Sequence, residues 1–95
     1  MIGVAAGLAL SGMRPFVYSI STFASMRAYE QIRNDLCYQN LPVVIVGGGS
    51  TFSYSTFGAT HMPLEDVGIM RQLPNMRVCV PGDPYEVGAL LELLH

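Results

Sequence analysis

Apolar positions fall in blocks whose spacing alternates between helical and strand-like. Residues 1–11 are rich in alanine and leucine and stop at Gly12, which predicts a helix over Met1–Ser11. Gly3 and Gly7 sit on one face of it, a spacing that allows close backbone packing against another element. After Arg14-Pro15 the short apolar run Phe16–Ile20 predicts a strand, and Ser21-Thr22 is a cap signal for a helix beyond it. From about Phe23 to Tyr38 the period is helical. Ala28, Tyr29, Ile32 and Leu36 share one face, while Arg27, Glu30 and Asn34 share another. Glu30 and Arg33 stand as an i,i+3 pair on that helix. Asn40-Leu41-Pro42 breaks it.

Val43–Val46 is uninterrupted β-branched sequence, as expected of a strand covered on both faces in a parallel sheet. It ends at Gly47-Gly48-Gly49, and Ser50–His61 then runs without clear period, which predicts a long loop. Pro63, Glu65 and Asp66 suit the first turn of a helix that ends before Pro74. Met76–Val80 predicts another strand. Asp83-Pro84-Tyr85-Glu86 is a helix start, with Val87, Leu90, Leu91 and Leu94 as the expected buried stripe. The order α-β-α-β-α-β-α predicts an α/β domain with a parallel sheet and helices on both faces. No internal boundary is visible, so the 95 residues read as one unit. Three strands are few for such a sheet, which suggests a fragment of the fold.

Composition sharpens that expectation. Only 13% of residues are charged and 51% are hydrophobic, against about 25% charged in an ordinary soluble domain. So short a chain has a large surface for its volume. Its few charges cannot cover that surface, which suggests a piece of something larger or a subunit with covered faces. All five basic residues are arginine and none is lysine. The composition excludes a disordered chain, and a net charge of −2 argues against a nucleic-acid binder. Cys37 and Cys79 fit no metal or redox spacing, and Cys79, inside an apolar run, reads as a buried thiol. A reducing, cytoplasmic setting follows by default. Met1–Leu10 lacks a basic flank and is short for a membrane span.

Ligands of open parallel sheets bind beyond the carboxyl ends of the strands. The loops there are Ser19–Thr22, Gly47–Met62 and Pro81-Gly82. His61 lies in the longest of them. Next to a helix start its imidazole would be held neutral by the dipole, fit to donate and accept a proton; the alternative is a histidine that caps the helix. Gly47-Gly48-Gly49 lacks the patterns of a phosphate cradle and reads as close backbone approach. Phe23 offers either a flat face to a ligand or a core aromatic. Arg27, one turn on, is a surface or interface arginine, or the nearest cation if the loop binds a sugar phosphate. Glu30, Asp35, Glu65 and Asp66 have ordinary surface explanations, and no metal ligand set is expected in the chain.

Several segments, taken in order, resemble the pyrimidine-binding domain of the transketolase family of thiamine diphosphate enzymes. They are Ile2–Leu10 with Gly12–Phe16, then Ser21-Thr22-Phe23, then Arg27-Ala28-Tyr29-Glu30-Gln31-Ile32-Arg33-Asn34-Asp35. The most specific is Gly58-Ala59-Thr60-His61 with Pro63-Leu64-Glu65-Asp66, followed by Leu73-Pro74-Asn75-Met76 and Val80-Pro81-Gly82-Asp83. The resemblance implies a cofactor lying between this domain and a diphosphate-binding domain of another subunit, which holds the divalent metal (Mg or Ca). It implies that Phe23 packs on the aminopyrimidine and that Ile20 occupies a further cofactor-facing position, usually aromatic. His61 would face the thiazolium and the substrate oxygens, with Arg27 near a sugar phosphate. The implied reaction is transfer of a two-carbon ketol unit between sugar (phosphate) substrates, in a homo- or hetero-oligomer without nucleic acid or membrane.

Departures from the family pattern qualify those implications. The family's activating glutamate would fall three residues before Met1, so the chain is expected to be a pyrimidine-binding domain over 1–95 lacking its N-terminal part and inactive alone. Phe57 stands where many transketolases carry an aspartate, and Gly49 where a further substrate histidine would fall. These changes fit a split or divergent transketolase-like enzyme. Alternatives are a deoxyxylulose-phosphate synthase-like or 2-oxoacid dehydrogenase β-type domain, or a non-catalytic assembly module of the same fold.

Overall fold

The computed structural model describes residues 1–49 and 51–94. Ser50, at the start of the expected loop, and His95 lie outside the described residues. Helix α1 spans Ile2–Leu10, and Gly12 closes it at φ +90°, donating its N–H to the Ala9 carbonyl at 3.0 Å. Ile2, Ala5, Ala6 and Ala9 turn inward. Gly3 and Gly7 lie on the exposed side, where a Cβ would meet nothing within 4 Å. The close packing expected of that pair is therefore not made within the described residues.

Strand β1 (Phe16–Ile20) pairs in parallel with β2 (Val44–Gly48), in the register Phe16↔Val44 to Ile20↔Gly48. The expected long helix is interrupted. It forms α2 (Ser21–Ser25), α3 (Tyr29–Gln31) and a π-helical turn, Ile32–Cys37. Ala28, at φ −112° and ψ 19°, leaves helical dihedrals and marks the break. The wider π spacing turns Ile32, Leu36 and Cys37 into the core together, with Tyr38 N–H reaching the Arg33 carbonyl five residues back at 2.9 Å. The expected apolar face is kept: Ala28 and Tyr29 pack against the core that Ile32 and Leu36 enter. Glu30 accepts from the Asn34 side-chain amide one turn on. Asn40 ends the segment in the left-handed region at φ 52°.

The core gathers Ile2, Ala5, Ala6, Val17, Ile32, Leu36, Cys37, Met70 and Leu73. The free thiols differ from expectation. Cys37 is buried, and desolvation pushes its thiol above the ordinary range, whereas Cys79 is exposed. A lone apolar run was a weak guide, because the helical segment supplied the buried position instead.

The carboxyl-terminal third departs most. Helix α4 is short, Asp66–Met70, and begins five residues after His61 rather than beside it. Met76–Val80 joins no ladder, so among the described residues the sheet has two strands rather than three. Only Met76 of that segment packs on the core, and Arg77 to Val80 are exposed. β-branched sequence makes a segment able to pair, but pairing needs an edge within reach. Helix α5 (Pro84–Leu94) starts where expected: Asp83 Oδ1 accepts the N–H groups of Tyr85 and Glu86 at 2.8 and 2.9 Å. Its expected stripe is only partly covered: Leu90 and Leu94 are half-buried, Val87 and Leu91 are exposed, and no α5 residue is fully buried. No helix among the described residues is long and apolar enough to cross a membrane.

Candidate functional site

Strand β1 runs without a linker into α2, so Phe23 and Arg27 leave the carboxyl end of the sheet together. The loop after β2 returns to the same place. Its three glycines are read by their neighbours. A Cβ on Gly47 would come within 2.8 Å of Ser21 Oγ, and one on Gly48 within 2.5 Å of the Tyr18 hydroxyl. Gly49, at φ +81°, lies against the Tyr54 ring. The run is thus filled by the chain's own side chains and forms no phosphate cradle.

Beyond it, a short 3-10 turn spans Ser55–Phe57. Gly58 follows at φ +76° and ψ −165°, a region open essentially only to glycine. That turn directs the chain back, with His61 N–H bonded to the Gly58 carbonyl at 3.1 Å. His61 then meets two rings. The Phe23 ring lies edge-on at 5.0 Å and 75°, and the Phe57 ring lies at 5.0 Å and 35°. The Arg27 guanidinium sits 4.6 Å from the Phe23 ring centroid, in cation–π range. Tyr54 extends the row beyond Phe57.

Three of the residues expected in the site are therefore brought together: Phe23, Arg27 and His61. Ile20 is half-buried at the end of β1, opposite Gly48. His61 does not cap the following helix, because α4 starts at Asp66 and Asp66 Oδ1 accepts the Val67 N–H. Its nearest polar partner is Thr60, with Oγ1 at 2.8 Å from Nδ1. Thr60 Oγ1 also donates to the Phe57 carbonyl, at 3.3 Å. A hydroxyl has one proton. Thr60 therefore donates to one of the two at a time, and the shorter contact is the one to His61 Nδ1.

Sequence reasoning missed Phe57 as a ring set against His61. An i,i+4 aromatic pair in an aperiodic loop gives no periodic signal. It also read Ser21 and Asp66 as cap and surface residues, whereas Ser21 Oγ donates to Asp66 Oδ2 at 2.5 Å. Among the described residues no three His, Cys, Asp or Glu side chains converge on a metal position.

Compared with known proteins, residues 1–94 match the family described as transketolase, pyrimidine binding domain. The chain belongs to that family. Pyrimidine-binding domains of this type are parts of thiamine diphosphate-dependent enzymes. This domain is 44% identical, over 94% of its length, to the 6-deoxy-6-sulfo-D-fructose transketolase subunit SqwH of Clostridium sp. (strain MSTE9), covering 28% of that protein. It is 40% identical, over 96% of its length, to a 1-deoxy-D-xylulose-5-phosphate synthase of Thermus thermophilus, covering 14% of it. Among solved structures it superposes on a split gene transketolase in an inactive beta4 tetramer. The TM-score is 0.85 at 41% identity, over 98% of this chain and 29% of that one. The pyrimidine-binding domain thus spans less than a third of these relatives.

The cluster suits one part of thiamine diphosphate and not another. A half-buried phenylalanine at a strand end, beside a second ring, fits a flat heterocycle. The filled glycine run does not fit a diphosphate. Arg27 already covers one face of Phe23, so a ring stacked on that face would displace the guanidinium.

Proposed function

We propose that this domain binds the aminopyrimidine of thiamine diphosphate and forms part of a transketolase-like enzyme. The enzyme would transfer a two-carbon ketol unit between sugar or sugar-phosphate substrates. The observation that carries this reading is the convergence of Phe23, Arg27 and His61 at the carboxyl end of the sheet, from segments far apart in the chain. When bound, the cofactor supplies a nucleophilic thiazolium carbon. Phe23 then holds the pyrimidine flat and excludes water, with Ile20 beside it at the end of β1. His61 orients substrate oxygens and exchanges a proton with them. Arg27 binds the phosphate of a phosphorylated substrate, since a guanidinium matches phosphate geometry. The diphosphate and its divalent metal belong on a partner diphosphate-binding domain or subunit, in keeping with the filled glycine run. A reducing, cytoplasmic compartment is part of this reading.

Titration of thiamine diphosphate and magnesium into the intact protein with its diphosphate-domain partner tests the reading. Phe23→Ala is expected to weaken saturable binding about tenfold, as loss of a stacked ring costs on the order of 1 kcal/mol beyond its area. His61→Gln is expected to lower kcat about a hundredfold with cofactor affinity retained, the size of a lost acid–base group. Binding indifferent to Phe23→Ala, or absent altogether, overturns it. Absent binding would instead favour a non-catalytic assembly module. Phe57 in place of an aspartate supports that second reading.

A further inference from the structure

The two halves of the site reach it from different segments, and little apolar surface holds them in register. Helices α2 and α4 have five residues each, too short to be stable alone. The buried residues of α2 are the small Ser21, Ala24 and Ser25, and α4 buries only Met70. The α2 side chains are too small to interlock, and on α4 only Met70, with half-buried Ile69 beside it, grips the core.

Polar contacts supply the missing constraint. Ser21 is 8% exposed, and its Oγ donates to Asp66 Oδ2 at 2.5 Å across 45 residues of sequence. Asp66 Oδ1 accepts the Val67 N–H at 2.8 Å, so both carboxylate oxygens are engaged. The Ser21 carbonyl accepts from Ser25 Oγ at 2.7 Å, which ties the residue into its own helix. On its other side the Ser21 side chain abuts Gly47, where any Cβ would press on it at 2.8–3.0 Å. A second tie runs in parallel: the Tyr29 hydroxyl donates to the Ile69 carbonyl at 2.9 Å. Ser21 precedes Phe23 by two residues and Asp66 follows His61 by five, with buried Pro63 between.

We propose that Ser21 and Asp66 are a positioning pair: their charge-assisted hydrogen bond fixes His61 against Phe23. Neither touches the reacting atoms. A carboxylate acceptor makes the contact strong and directional, which apolar packing between short helices is not. In its bearing on catalysis the proposal rests on the function proposed above; in its geometry it does not.

The test uses the intact protein that carries this domain, with its partner, and two readouts. The first is the Hε1 resonance of His61, assigned by its loss in His61→Gln and displaced by the ring currents of Phe23 and Phe57. Ser21→Ala and Asp66→Ala are each expected to move it toward the position of a solvent-exposed histidine. The second is kcat/KM, expected to fall about tenfold or more in each, the usual weight of a hydrogen bond to a charged group. The double variant is expected to be no worse than the worse single one, because both changes remove the same contact. Asp66→Asn keeps an acceptor oxygen and is expected to stay within about threefold of the parent. Ile32→Val, a core change, is expected to leave the resonance in place. An unmoved His61 resonance in both alanine variants, or additive losses in the double one, overturns the proposal. A moved resonance in a protein that binds no thiamine diphosphate would leave the positioning pair standing and sink the functional reading instead.

Discussion

Gly58 shows how one backbone position sets the approach of a catalytic candidate. Its φ of +76° and ψ of −165° lie where a side chain is strongly strained, although the space around a Cβ there is open. The cost of Gly58→Ala is therefore conformational and not steric, about 1–3 kcal/mol. Denaturant unfolding is expected to show a loss in that range if the turn is held, and the Phe23–His61 contact is expected to loosen with it. An unchanged stability would mean that the turn relaxes freely. Other residues of the site were only partly legible in the sequence. His61, Phe23 and Arg27 stood out by motif and position. Phe57 registered only as a departure, and Asp66 only as a helix-start residue, because their roles depend on contacts across a loop and across 45 residues.

At the scale of elements, local signals and tertiary demands divide cleanly at α5. Its start is locally encoded: Asp83 accepts two N–H groups and Glu86 Oε2 accepts the Gly82 N–H at 2.6 Å. Only Leu90 and Leu94 of α5 are even half-buried, so the cap and intrinsic propensity carry most of its stability. An eleven-residue helix with so little packing is marginal in water. Asp83→Ala removes a cap interaction of about 1 kcal/mol. It is expected to abolish hydrogen-exchange protection at Tyr85 and Glu86 while leaving the global unfolding midpoint almost unchanged. A large drop in the midpoint would show that α5 is packed against the core after all. The π-helical turn at Ile32–Cys37 makes the opposite case. Its sequence reads as an ordinary helix, and the need to bury Ile32, Leu36 and Cys37 together selects the wider spacing.

On the scale of the whole molecule, the low charge fraction has a visible counterpart. Val4, Leu10, Tyr18, Phe52, Val80, Tyr85 and Leu93 are all at least 65% exposed, and they lie on α1, β1, the long loop and the carboxyl-terminal segment. The partner domain or subunit proposed above would cover part of this apolar surface, which few charges keep in water. The 95 residues produced alone are expected to self-associate, seen as a mass above the monomer in light scattering at micromolar concentration. The association is expected to strengthen with sulfate, which favours apolar burial. A clean monomer across those conditions would show that the exposed faces are tolerated as they stand.

By itself the sequence determined the class of the fold, the bounds of α1 and β1, the start of α5, and the candidates Phe23, Arg27 and His61. Those depend on local chemistry: β-branched runs, caps, glycines at forbidden angles and a motif with fixed spacing. Tertiary structure alone decided the rest. It placed Phe57 on His61, joined Ser21 to Asp66, buried Cys37 instead of Cys79, and left Met76–Val80 without a partner strand. Each of these turns on whether a second surface or edge lies within reach, and distance across the fold is not written in neighbouring residues.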